Sequence, residues 1–143
     1  MAFTATNAAD YSSAMKYYSL LTAQDKQNAQ LWFSMGQAAL GADSLRQALI
    51  CSKKALALKP DMTEAYLLSG SANYKSGNYR QAVDDFQKAA SNIGHAHFAW
   101  LMTARCYEKM GNDEQAKAAY EKASQFQADS ELQRLLVKSN QGG

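Results

Sequence analysis

The stretch GNYRQAVDDFQKAA at Gly77–Ala90 returns from Gly111 onward as GNDEQAKAAYEKAS. A period of about 34 residues marks a chain built from stacked supersecondary units, none of which can bury its apolar face alone. The same step brings Trp32 into register with Tyr66 and Trp100, and Gly36 with Gly70 and Ala104. It also aligns Ala48 with Ala82 and Ala116, Ser52 with Phe86 and Tyr120, and Ala55 with Ala89 and Ala123.

Each unit divides into two helical stretches. In the middle unit the first helix is expected over 63–76, with a stop at Gly77 and a restart after Asn78. The restart carries a capping-box pattern in all three units: Ser44-x-x-Gln47, Asn78-x-x-Gln81 and Asn112-x-x-Gln115. Gly77 and Gly111 stand where a helix C-terminus takes a left-handed residue, and Pro60, the single proline, follows the second helix of the first unit. With Ala, Gln, Lys and Leu plentiful, the chain reads as nearly all helix. Small residues at Gly36, Gly70 and Ala104, opposite Ala48, Ala82 and Ala116, let paired helices approach closely. The Trp or Tyr one turn earlier fills the adjoining gap. Such a ring buries about 150–250 Å², worth about 4–6 kcal/mol as an upper bound.

Trp32-x-x-Met35-Gly36, Tyr66-x-x-Ser69-Gly70-x-x-x-Tyr74, Trp100-x-x-x-Ala104-x-x-Tyr107, the recurring alanines and Pro60 together resemble the tetratricopeptide repeat. The resemblance implies an all-α fold, a right-handed superhelical α-solenoid of antiparallel helix pairs. The expected units span 29–62, 63–96 and 97–130. The first unit departs from the pattern with Asp43 at the turn-glycine place and Ser52 at an aromatic place, and the later units lack the closing proline.

The same register run backwards puts Ala14 at the small place and Tyr18 at the aromatic one. Residues 1–28 therefore read as a partial repeat, with only its second helix, at about 10–27, and residues 1–9 supplying at most the last turns of the first. On this pattern the chain is expected to be a piece of a longer array. At the other end Ser130-x-x-Gln133 repeats the capping signal, and Leu132, Leu135 and Leu136 form an apolar stripe beside Arg134 and Lys138. Residues 131–143 are thus expected to be a capping helix that covers the last repeat, ending in a frayed tail, SNQGG.

The chain's 143 residues, 47% of them hydrophobic, suit one short repeat array. Lys and Arg exceed Asp and Glu by only +2, with no long run of one sign, so there is no electrostatic footprint for nucleic acid or an anionic membrane. No run approaches the 18 apolar residues of a spanning helix, and no signal-like start is present. As it stands the chain reads as cytoplasmic, a compartment that a removed signal or anchor would change.

Cys51 and Cys106 are too few for a disulfide framework and read as reduced, buried or half-buried thiols. His95-x-His97 lacks the further ligands zinc needs and reads as a pair of inter-repeat loop residues. No nucleophile, base and orienting acid can be assembled, so the chain is not read as an enzyme and no cofactor is implied. Asp84-Asp85 and Lys53-Lys54 read as solvated outer faces.

In the family the first helix of each unit lines the concave surface. Here those helices carry a second apolar stripe, and such a helix needs a second burial partner. The expected trough holds Phe33, Gln37 and Leu40 from the first unit, Leu67, Leu68, Ser71 and Tyr74 from the second, and Phe98, Leu101, Met102, Arg105 and Lys109 from the third. The apolar members are the anchors, and Arg105 and Lys109 steer the partner. Family members that hold a chaperone's C-terminal carboxylate use Lys, Asn and Arg at places filled here by Phe33, Gln37, Leu68, Phe98 and Met102, so that mode is not expected.

The expectation is a non-catalytic protein-interaction module whose groove takes an apolar peptide or amphipathic helix of a protein partner, without nucleic acid and without membrane insertion. Two alternatives are a self-associating scaffold, a homo-oligomer formed through the exposed N-terminal helix, and, from the resemblance, a chaperone or assembly factor of a bacterial secretion or pilus system.

Overall fold

A computed structural model describes residues 8–141. The expectations for residues 1–7 and for Gly142 and Gly143 fall outside the described residues. Seven helices follow one another: α1 (Ala8–Gln24), α2 (Ala29–Gly41), α3 (Leu45–Leu58), α4 (Thr63–Lys75), α5 (Tyr79–Ala89), α6 (Ile93–Lys109) and α7 (Asp113–Gln141). Turns of a few residues join them, so sequence neighbours run antiparallel and alternate helices point the same way. Besides these neighbours, α2 touches α4 and α4 touches α6, whereas among the described residues α1, α3, α5 and α7 make no close backbone approach to one another. The layer in which helices meet is the shorter, inner arc of the stack.

Alanine and a few large side chains fill the core. Ala82, Val83, Phe86 and Ala89 of α5 pack on Ala99, Met102 and Cys106 of α6. Ala39 and Ala48 pack with Leu68 and Ala72 of the next unit, and Ala55 with Met62 and Ala65. Phe86 is fully buried, and its ring fills the space left open by Gly70, where a Cβ would come within 2.9 Å of it.

The turns from α2 to α3, α4 to α5 and α6 to α7 share one conformation. Gly77 (φ 83°) and Gly111 (φ 78°) are left-handed, and so is Asp43 (φ 61°) at the same place in the first unit. The backbone amides of Ser44, Asn78 and Asn112 then reach back to the carbonyls of Ala39, Asn73 and Tyr107 at 2.8–2.9 Å, closing the preceding helix.

Several local features depart from the sequence reading. Ser44 and Asn78 are N-caps, but their side chains make no capping hydrogen bond. Gln47 instead donates to Cys51 Sγ at 3.9 Å, and Gln81 donates to Asp85 Oδ1 at 3.3 Å. Side-chain caps form elsewhere: Asn28 accepts from the amides of Gln30 and Leu31, and Asn92 from that of Gly94. Because Asn92 caps there, α6 begins at Ile93, and His95 and His97 are helical rather than loop residues.

Asp85 is buried rather than solvated, with Oδ2 accepting from Ser69 Oγ at 2.7 Å and Asn73 Nδ2 at 2.9 Å. Lys53 and Lys54 are exposed as expected, and Lys54 also covers the Trp32 ring. Finally, no separate capping helix begins at Ser130. α7 runs unbroken from Asp113 to Gln141, with Ser139 and Gln141 inside it, because neither glycine nor proline interrupts that span. Its distal half leaves Leu135, Leu136 and Val137 exposed.

Candidate partner-binding groove

Among the described residues, side chains from α1, α2, α4 and the start of α6 surround a cleft of about 520 Å³. α2 contributes Phe33, Gln37, Leu40 and Gly41, residues one helical turn apart that share a face. α4 contributes Glu64, Leu67, Leu68, Ser71 and Lys75 by the same periodicity. Tyr11 of α1 closes one side and His95 of α6 the other. Phe33, Leu40 and Leu67 are half-buried, so part of each remains open to a ligand, whereas Leu68 is buried and forms the floor.

The charges sit at the ends. Glu64 lies in the first turn of α4 and Lys75 in its last, eleven residues apart, or about 16 Å along the axis. His95 Nε2 stands 3.6 Å from Glu64 Oε1, so the two groups share the Glu64 end of the cleft.

Six of the twelve sequence-predicted groove residues, Phe33, Gln37, Leu40, Leu67, Leu68 and Ser71, meet around this cleft. Met102 is buried and packs with the core between α5 and α6, and Tyr74 leans on the same cluster with its ring edge-on to Tyr79 at 5.5 Å. Phe98 is exposed and meets the buried Phe86 ring edge-on at 6.3 Å. Leu101 is half-buried, and Arg105 and Lys109 are exposed. None of these six lines the cleft.

Arg105 belongs to another cluster, with Glu108 and Tyr120. A hydrogen bond to Glu108, then partial burial, raises the Tyr120 phenol above its ordinary range, and the Arg105 charge opposes the shift. Tyr11, Gly41 and His95 escaped the groove assignment at the sequence level, whereas Glu64 and Lys75 fall on the same helical stripe of the second unit as Leu67, Leu68 and Ser71. For Tyr11 the signal was the aromatic that the backward register left unplaced on the partial unit.

Both cysteines are free and buried, and burial alone raises the Cys106 thiol to about 11. His97 Nδ1 lies 2.8 Å from the carbonyl of Ala123, tying α6 to α7. No group of three or more metal-ligating side chains occurs among the described residues, and no described helix is long and apolar enough to cross a membrane.

The chain matches, over residues 1–127, the family model described as the Cilia and flagella-associated protein 70 middle TPR-like domain. It is 28% identical over 142 residues to Cilia- and flagella-associated protein 70 of Homo sapiens, covering 99% of this chain and 13% of that protein. It is 35% identical over 78 residues to the Protein STIP1 homolog of Dictyostelium discoideum, covering 54% of this chain and 14% of that protein. The chain thus spans 13–14% of the length of these curated relatives. A crystal structure of MamA superposes with a TM-score of 0.77 at 25% identity, over 82% of this chain and 69% of that one. A second MamA crystal structure gives 0.78 at 20% identity, over 82% and 64%.

Proposed function

The chain belongs to the family of the Cilia and flagella-associated protein 70 middle TPR-like domain, and on that premise we propose that it grips an apolar segment of a partner protein in the cleft between α2 and α4. A tetratricopeptide-type solenoid is a protein-interaction module; the proposal concerns how this one binds. The supporting observation is the cleft itself, whose half-buried Phe33, Leu40 and Leu67 surround about 520 Å³ with an acidic group at one end and a basic group at the other. Apolar anchors in a preformed groove supply affinity at a low ordering cost, and the end charges set direction. The segment that fits is apolar in its middle, basic toward Glu64 and acidic toward Lys75.

Selection of a displayed peptide library on the immobilised chain tests this. Apolar sequences with that charge order should be enriched on the wild type, lost on Leu67→Glu and Leu40→Glu, and reversed in charge preference at one end on Glu64→Lys. Circular dichroism should show unchanged helix content in all three. Enrichment that ignores these substitutions would defeat the reading.

Self-association is a second reading, supported by the exposed Leu135, Leu136 and Val137 on the distal half of α7. Light scattering over a concentration series, with Leu135→Glu/Leu136→Glu beside the wild type, separates the two. A mass that stays monomeric throughout removes self-association.

A further inference from the structure

Tyr11 and Gln37 line two clefts at once. Beyond the space between α2 and α4 lies a smaller one of about 200 Å³ between α1 and α2, bordered also by Ala14, Tyr18, Ser34 and Ala38. The phenol ring and the amide are therefore a partition with a cavity on either side.

The ring keeps its place because residue 41 is glycine. A Cβ at Gly41 would collide with Tyr11 Cε1 and lie 2.6 Å from Cδ1 and Cζ, well inside van der Waals contact. Gly41 ends α2 and is not left-handed, so the backbone does not require a glycine there. The repeat does not require one either: in the second and third units the same place holds Lys75 and Lys109. The substitution is peculiar to the first unit, and its visible consequence is the seat for Tyr11.

We propose that Tyr11 is a specificity-determining residue, a side wall seated on Gly41 that confines the bound segment to the cleft between α2 and α4. The proposal rests on the groove reading above. The wild-type groove then takes a partner helix whose apolar stripe runs about three turns, the span from Glu64 to Lys75. It rejects helices whose apolar face widens across α2 toward Tyr18. Removing the ring joins the clefts of about 520 and 200 Å³ and opens the path to that region.

The test is selection from a library of helix-forming peptides of about 20 residues on the wild type, Tyr11→Ala, Tyr11→Phe and Gly41→Ala. The wild type and Tyr11→Phe should recover stripes of the same width. Tyr11→Ala should recover stripes wider by at least one residue per turn and bind them about tenfold tighter than the wild type does. Gly41→Ala should behave like Tyr11→Ala, because its new methyl displaces the ring while leaving residue 11 intact. Equal stripe widths on all four proteins overturn the wall, and a shift with Tyr11→Ala but not Gly41→Ala overturns the seat. A wild type that enriches no apolar stripe overturns the groove reading instead.

Discussion

The Nζ of Lys54 lies 4.2 Å from the centroid of the Trp32 ring. Lys88 stands 5.4 Å from the Tyr66 ring, and Lys122 4.3 Å from that of Trp100. Both members of each pair advance by one repeat period, so every unit ties its second helix to its first with an ammonium on an aromatic face. Each such pair at a partly exposed site is worth about 0.5–1 kcal/mol. Lys54→Met should lower the unfolding free energy by that amount, seen as a lower urea midpoint at unchanged slope, and Lys54→Arg should retain most of it. The pairs are far apart in sequence and share no partner, so the triple Met variant should lose close to the sum of the three.

Removing the Asp85 carboxylate should cost more than any surface change. Asp85→Ala leaves the buried Asn73 amide without its acceptor and takes one from Ser69 and Gln81 as well. An orphaned buried donor costs about 1–3 kcal/mol, so a loss near the top of that range is expected in chemical denaturation. A double-mutant cycle with Asn73→Ala should show coupling, since the second change removes the orphan.

Gly70→Ala should destabilise although alanine favours helix. Its methyl would press on Phe86 at 2.9–3.0 Å, and that ring is fully buried with nowhere to move. Overpacking of this kind costs about 1–3 kcal/mol, which a thermal melt resolves.

Asp43→Gly should raise stability. The φ of 61° is one that a side chain tolerates poorly, and glycine already holds the corresponding turns at residues 77 and 111. Aspartate adapts to this region better than most residues, so the expected gain is below the roughly 1–2 kcal/mol general cost of left-handed geometry. A higher denaturation midpoint with unchanged circular dichroism would show it.

Burial holds the Cys106 thiol at about 11 against an ordinary 9.0. The folded chain therefore keeps its proton longer than the unfolded chain does. The resulting stability is complete below pH 9.0 and declines as pH rises through about 11. Denaturation midpoints measured across that interval should fall more in the wild type than in Cys106→Ala. Thiol-specific reagents at pH 8 should label Cys106 only as fast as the chain opens.

The repeat period made the fold legible, because pairing faces must recur wherever stacking recurs. Trp32, Gly36, Pro60, Gly77 and Gly111 each mark a helix or turn by a backbone or packing demand that acts locally. What escaped depends on partners remote in sequence. Asp85 looks like half of an exposed acidic pair until Ser69 and Asn73 of the preceding helix are brought against it. Gln47 and Gln81 fit a capping box by spacing, but side chains one turn ahead compete for them. Met102 and Phe98 are both apolar on one helix and both meet α5, yet Met102 is enclosed in the core cluster while Phe98 meets Phe86 only edge-on and stays exposed. The α2 and α4 share of the groove was readable for the opposite reason, since its periodicity lies within single helices. Its side wall was not, because Tyr11 reaches it from α1, outside the three full units.

The 29 residues of α7 extend about 43 Å. From Tyr120 to its end the helix continues for about 31 Å, and the tie between His97 and Ala123 lies near the start of that span. Geometry then makes it a lever. A tilt of about 10° at Tyr120 would carry Gln141 sideways by about 5 Å, so small adjustments where α6 meets α7 become large displacements of whatever is joined to the far tip.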